Sequence, residues 1–245
     1  MSITLHIHPT RETANKKVAR EIAELIRAKP HAVLGLATGA TPIGVYEEMV
    51  RLHHQEGLSF RQVCTFNLDE YQGIDVSHPE SYWNFMHRHL FDHIDIPAAN
   101  IHIPGTRVPS LELAEYCKHY EELIAVHGGI DYQILGIGRT GHIGFNEPGS
   151  PPNCRTRRVL LDGLTREDAA PAFGDLDHVP THAITMGCGT IMEAKRVALL
   201  AFGAAKAAIV RKALRGPVSD QVSASYLQNH DHTSFHLDHE SAPLL

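Results

Sequence analysis

The stretch Ala32-Val33-Leu34-Gly35-Leu36-Ala37-Thr38-Gly39-Ala40-Thr41-Pro42 decides the fold. Its first six residues are almost wholly apolar, the pattern of a strand buried on both faces of a parallel sheet. A glycine, a hydroxyl at Thr41 suited to cap a helix and a proline suited to its first turn follow at once, before Ile43, Tyr46, Met49 and Val50 repeat at helical spacing. Upstream, residues 10–29 carry Val18, Ile22, Leu25 and Ile26 on one helical face behind a Thr10 cap, and Pro30 ends the pattern. Downstream the cadence recurs, with strands expected over 63–68, 130–136, 183–186, 196–202 and 233–237, and helices over 81–93, 110–127 and 203–215. Such alternation predicts an α/β protein with a mostly parallel sheet and helices on both faces. Residues 146–180, rich in Pro, Asp and Gly and weak in periodicity, read as a mobile flap over that sheet.

The chain has 245 residues, 43% of them hydrophobic and 20% charged, which fits one globular domain spanning 1–245. Its 22 Lys and Arg against 28 Asp and Glu leave a net charge of −6, which argues against binding to nucleic acid or to an anionic membrane surface. Cys64, Cys117, Cys154 and Cys188 form no CxxC pair and no disulfide framework, so a reducing compartment is expected. The sequence opens without a basic, then apolar, leader and has no run of about 18 apolar residues. A cytoplasmic protein is the resulting expectation.

Four places can carry chemistry. The turn Thr38, Gly39, Ala40 and Thr41 ahead of a helix presents backbone amides and a helix dipole to an anion, although such a turn also serves folding alone. It is neither a GxGxxG fingerprint nor a Walker loop. Asp69 and Glu70 lie where a buried strand runs out, and adjacent strand side chains point to opposite faces, so at most one of them serves as a base; a solvated acidic turn is the other reading. The segment 136–148 (GIGRTGHIGFNEP) is the most specific: its glycines, Gly138 among them, permit close approach to a ligand, and it holds His142 and Glu147 five residues apart; a glycine-rich turn with an incidental histidine is the other reading. Lys206, a cation at the start of a helix against the dipole preference, reads either as an anion ligand or as a solvated surface group. His230, His232, His236 and His239 match no metal-binding spacing, and no metal is expected.

Taken together, these motifs resemble the glucosamine-6-phosphate deaminase (glucosamine-6-phosphate isomerase) family. The resemblance rests on residues 34–42 (LGLATGATP), 65–71 (TFNLDEY), 78–82 (HPESY), 141–148 (GHIGFNEP) and 155–157 (RTR). It implies a Rossmann-like sheet and the conversion of glucosamine 6-phosphate and water into fructose 6-phosphate and ammonia without a cofactor, a step of amino-sugar catabolism. By the same resemblance His142 opens the sugar ring with Glu147 holding it, Asp69 moves a proton from C2 to C1, and Gly39, Ala40, Thr41 and Lys206 hold the phosphate, with Thr38 and Gly138 beside them. Thr140 stands where family members commonly carry Asp or Asn, two residues before the ring-opening histidine. The flap stretch 169–173 (AAPAF) lacks the family's usual phosphate-binding arginine, and activation by an N-acetylated sugar phosphate is not expected. Another sugar-phosphate isomerase, a lactonase resembling the 6-phosphogluconolactonases and a weakly active sugar-phosphate sensor are the alternatives. The partner implied is a small aminosugar phosphate, and a homo-oligomer is compatible with the chain.

Overall fold

The computed structural model describes residues 3–245. In chain order its strands are β1 (Thr4–His8), β2 (Val33–Leu36), β3 (Cys64–Asn67), β4 (Asp69–Tyr71), β5 (Ile101–His102), β6 (Tyr132–Leu135), β7 (Arg157–Leu160), β8 (His182–Thr185), β9 (Val197–Ala201) and β10 (Thr233–Asp238). The helices are α1 (Arg11–Ala28), α2 (Ile43–Glu56), α3 (Tyr82–His89), α4 (Leu113–Val126), α5 (Gly163–Phe173), α6 (Cys188–Met192) and α7 (Ala207–Arg215). Seven strands form one parallel sheet in the order β1-β10-β9-β6-β2-β3-β5. The remaining three form a small antiparallel sheet, β4-β8-β7.

Alternation along the buried strands sorts their side chains into two cores. Val33, Phe66, Leu135, Leu199 and Phe235 face one layer with Tyr120 of α4 and Val210 of α7. Leu34, Ile134 and Leu200 face the other, against Val18 and Ile22 of α1 and Met49 of α2. Both faces of β2 are dry, which is why its sequence is an unbroken apolar run rather than an alternating one. Thr10 caps α1 as its position predicts, accepting from the Thr13 amide at 3.2 Å. Tyr46, fully buried on α2, donates its hydroxyl to the Ala37 carbonyl at 2.5 Å and ties the helix to the end of β2.

Several sequence expectations need correction. Thr41 does not cap α2, which starts at Ile43 with Pro42 in the cap position and no side-chain cap. The fold of residues 146–180 is not irregular: it contains β7, paired with β8, and α5, capped by Asp162. Phe173 at the end of α5 packs edge-on to Tyr71 and stacks on His78, fastening that segment over the small sheet. The edge strand β1, the short β4 and β5, and α6 have no counterpart in the sequence reading. The helix expected over 203–215 is a 3₁₀ turn at Ala204–Lys206 followed by α7. All four cysteines are free thiols, and no helix among the described residues is long and apolar enough to cross a membrane.

Candidate active site

The parallel order reverses between β6 and β2, because the chain leaves β2 toward β3 on one side and β6 lies next to β9 on the other. Open α/β sheets bind ligands in the crevice outside the strand carboxyl ends at such a point. Here that crevice is a cleft of about 180 Å³, walled by residues 37–41 after β2, Leu68 and Asp69 after β3, and Gly136, Ile137, Gly138 and His142 after β6.

The turn after β2 is shaped by Gly39, whose φ of +91° strains any residue with a side chain. The amides of Gly39, Ala40 and Thr41 donate to no acceptor among the described residues, so they are free for an anion in the cleft. Arg11 braces this turn from outside by donating to the Ala40 carbonyl.

Asp69 and Glu70 separate as strand geometry requires. Glu70 turns away and accepts from the Tyr71, Tyr82 and Trp83 amides at 2.8, 3.1 and 2.9 Å, satisfying the start of α3. Asp69 faces the cleft, 6% exposed, with no side-chain hydrogen bond among the described residues. Burial, reinforced by the charge of Glu70, pushes its carboxyl up to about 8. Burial also lifts Glu70 to about 7, against the three amides that favour its charged form.

On the facing wall His142 Nδ1 lies 2.8 Å from Glu147 Oε2. A carboxylate can only accept, so Nδ1 carries the hydrogen and Nε2 is left as the nitrogen that can exchange a proton with a ligand. Thr140 Oγ1 sits 3.0 Å from the same Nδ1 and donates to Glu147 Oε2 at 3.3 Å, while Thr165 Oγ1 of α5 donates to Glu147 Oε1 at 2.5 Å. Burial alone would raise Glu147, yet the hydrogen bonds of His142, Thr165 and Thr140 and the nearby imidazole outweigh it and hold the carboxyl below its ordinary value. Gly138 makes room for the imidazole: a Cβ there would lie 2.0 Å from His142 Nε2. Gly144, at φ +56°, brings the same loop to Asp69, whose Oδ2 would lie 3.4 Å from a Cβ at that glycine.

Lys206 stands one layer behind the cleft wall, its Nζ donating to the carbonyl of the cleft residue Ile137 at 2.8 Å. Burial lowers its ammonium from the ordinary lysine value. Thr38, Gly39, Ala40, Thr41, Gly138, Asp69 and His142 thus meet in one cleft, and Thr140, Glu147 and Lys206 back it. Arg155 and Arg157 lie outside it; Arg155 pairs with Glu121 and Glu193, and Arg157 holds Asn146 and Ser150 at the root of the loop. The sequence reading left Tyr82, Phe145 and Thr165 without a role, although the first two line the cleft and the third holds Glu147.

A family profile described as glucosamine-6-phosphate isomerases/6-phosphogluconolactonase matches residues 9–235. The chain is 50% identical over 232 residues to glucosamine-6-phosphate deaminase 2 of Bacillus subtilis (strain 168), covering 94% of this chain and 92% of that protein. It is 46% identical over 234 residues to the glucosamine-6-phosphate deaminase of Bacillus pumilus (strain SAFR-032), covering 96% of each. Its fold superposes with a TM-score of 0.95 on a solved monomeric glucosamine-6-phosphate deaminase, at 43% identity over 99% of this chain and all of that one. On this likeness of sequence and fold, the chain belongs to the family of glucosamine-6-phosphate isomerases and 6-phosphogluconolactonases.

Proposed function

We propose that this chain converts glucosamine 6-phosphate and water into fructose 6-phosphate and ammonia, an aldose–ketose shift coupled to hydrolysis of a C–N bond. The observation that carries the reading is the cleft itself: free amides for a phosphate at one end, a buried carboxyl on one wall and a carboxylate-held imidazole on the other. The similar proteins named glucosamine-6-phosphate deaminases support the choice of substrate.

The amides of Gly39, Ala40 and Thr41 hold the phosphate beside Thr38 and Gly138, and Lys206 adds a positive charge from behind. His142 Nε2 takes the proton of the C1 hydroxyl and returns one to the ring oxygen, so that the C1–O5 bond breaks and the aldehyde opens. Glu147 stabilises the imidazolium formed between these transfers, and Thr140 supports both partners. Asp69, as carboxylate, removes the C2 proton, leaving an enolamine, and delivers it to C1. The resulting C2 imine adds water and releases ammonia. A group that must both take and give a proton works best with a pKa near the working pH, which burial gives Asp69.

We read residues 146–180 as the lid of a single domain, because Thr165 on α5 touches the catalytic pair. The four free thiols fit a cytoplasmic enzyme. The test is ammonia release and fructose 6-phosphate formation from a panel of hexosamine 6-phosphates, beside hydrolysis of 6-phosphogluconolactone. Lactone hydrolysis without ammonia release overturns the proposal.

A further inference from the structure

Cys64 opens β3, His102 ends the edge strand β5, and His127 follows the last turn of α4, all away from the cleft. One ligand atom from each of the three lies within 4.8 Å of those of the other two. The register explains the meeting: Phe66 pairs with His102 across β3 and β5, and Cys64 shares the face of Phe66 two residues along. His102 stacks on Phe66 with ring centroids 4.5 Å apart, and His127 closes over both from the helix end, 5.6 Å from His102.

Two further observations show donors prepared for a cation. His102 Nε2 is buried and has no hydrogen-bond partner among the described residues, a state that normally costs free energy and that a metal ion relieves. His127 Nδ1 sits 2.8 Å from the Leu123 carbonyl, which can only accept, so Nδ1 carries the hydrogen and Nε2 keeps its lone pair. A ring N–H given to a backbone carbonyl is the usual support of a metal-bound histidine.

We propose that Cys64, His102 and His127 bind a borderline transition-metal cation, Zn²⁺ above all, with a solvent water in the fourth position. One thiolate and two imidazoles suit tetrahedral Zn²⁺, and the exposure of His127 gives the ion a path from solvent. At Zn–S and Zn–N lengths of about 2.3 and 2.0 Å the ligand atoms stand about 3.3–3.6 Å apart, so a pair at the 4.8 Å limit must be drawn in by up to about 1.5 Å through side-chain rotation. The Cys64 thiol passes its proton to solvent as the Zn–S bond forms. The bound ion then fastens an edge strand to the end of α4. The second histidine group, His6 and His236 with Glu21, is less suited, since Glu21 already serves Tyr132 and Arg196, and His236 uses one nitrogen on His8 and the other on Ser234.

The test is titration of the full chain, stripped of metal by chelator and dialysis, with Co²⁺ and then Zn²⁺. One equivalent of Co²⁺ should give tetrahedral visible bands and a thiolate-to-cobalt charge-transfer band, both bleached by Zn²⁺. Cys64→Ser should remove the charge-transfer band, and His127→Ala, a surface change that leaves the core intact, should weaken binding at least about tenfold. His6→Ala should change neither. A spectrum without the thiolate band, or one unaltered by His127→Ala or by Cys64→Ser, overturns the proposal.

Discussion

Replacing Asp69 by Asn separates catalysis from stability in a single variant. The side chain is 6% exposed and makes no hydrogen bond among the described residues, so the amide removes an ionisable group at little cost in contacts. In the folded chain burial and Glu70 raise its carboxyl from an ordinary 3.8 to about 8, so the native state holds this proton more tightly than the unfolded chain does. The stability linked to that proton is fully present below about pH 4 and is lost as the pH rises to about 8. The loss spans about four decades of proton affinity, on the order of 5 kcal/mol at about 1.4 kcal/mol per decade. Asp69→Asn carries no such loss. Denaturant unfolding of both proteins at pH 5 and pH 8.5 should therefore show the variant gaining several kcal/mol on the wild type between the two conditions. Glu70 titrates in the same range and is coupled to Asp69, so the difference between the two proteins also contains the repulsion that the variant removes, which adds to its gain at high pH. Turnover should fall by about 10² to 10⁴ with KM little changed, as expected when a proton carrier is lost and binding is kept. A stability difference that is the same at both pH values refutes the buried, proton-retaining state, and near-wild-type ammonia release removes Asp69 from the reaction.

Lys206→Ala should mainly raise KM for the phosphorylated sugar, by about 1.5–3 kcal/mol of charge-assisted hydrogen bonding, and an unchanged KM in steady-state kinetics returns this lysine to a purely structural bond with Ile137. Gly138→Ala should abolish most turnover while the protein stays folded by circular dichroism, because its Cβ would occupy the place of the His142 ring; full activity would show that the ring has another seat. Glu147→Gln should lower kcat far more than Thr140→Val, since Glu147 alone supplies charge to Nδ1 at 2.8 Å. Comparable losses in the two variants would mean that the hydroxyl, not the carboxylate, fixes the imidazole.

The sequence makes the central sheet legible wherever burial is two-sided, as in β2, β3, β6 and β9, because an unbroken apolar run has few other uses. It misleads at β1, a short edge strand whose apolar face, Leu5 and Ile7, is the exposed one, while His6 and His8 turn inward against His236, the reverse of the usual pattern. It hides α5 as well, which buries no residue fully and contains Pro171, leaving neither a hydrophobic stripe nor a clean helical sequence. The split of Asp69 from Glu70 and the pairing of His142 with Glu147 follow from local spacing and are readable in advance. Thr165 is not, because its contact with Glu147 exists only after α5 has folded back over the small sheet, 18 residues along the chain. Tyr82 reaches the cleft for a similar reason: Ser81 caps α3, Glu70 binds its first amides, and together they set the ring against the wall.

The threonine at position 140 takes on a definite meaning in this geometry. A carboxylate two residues before His142 would bring negative charge to the imidazole, and here that charge comes from Glu147 in direct contact with Nδ1. A second carboxylate at 140 would crowd the first, whose Oε2 already lies 3.3 Å from the Thr140 hydroxyl, and like charges that close raise one another's pKa. The hydroxyl avoids that conflict, donating to Glu147 while accepting from the ring. Thr165 completes the arrangement from the opposite side, on the helix read as part of the lid. Displacing α5 would take away the hydrogen bond to Glu147 Oε1, one of the bonds that hold that carboxylate below its ordinary value.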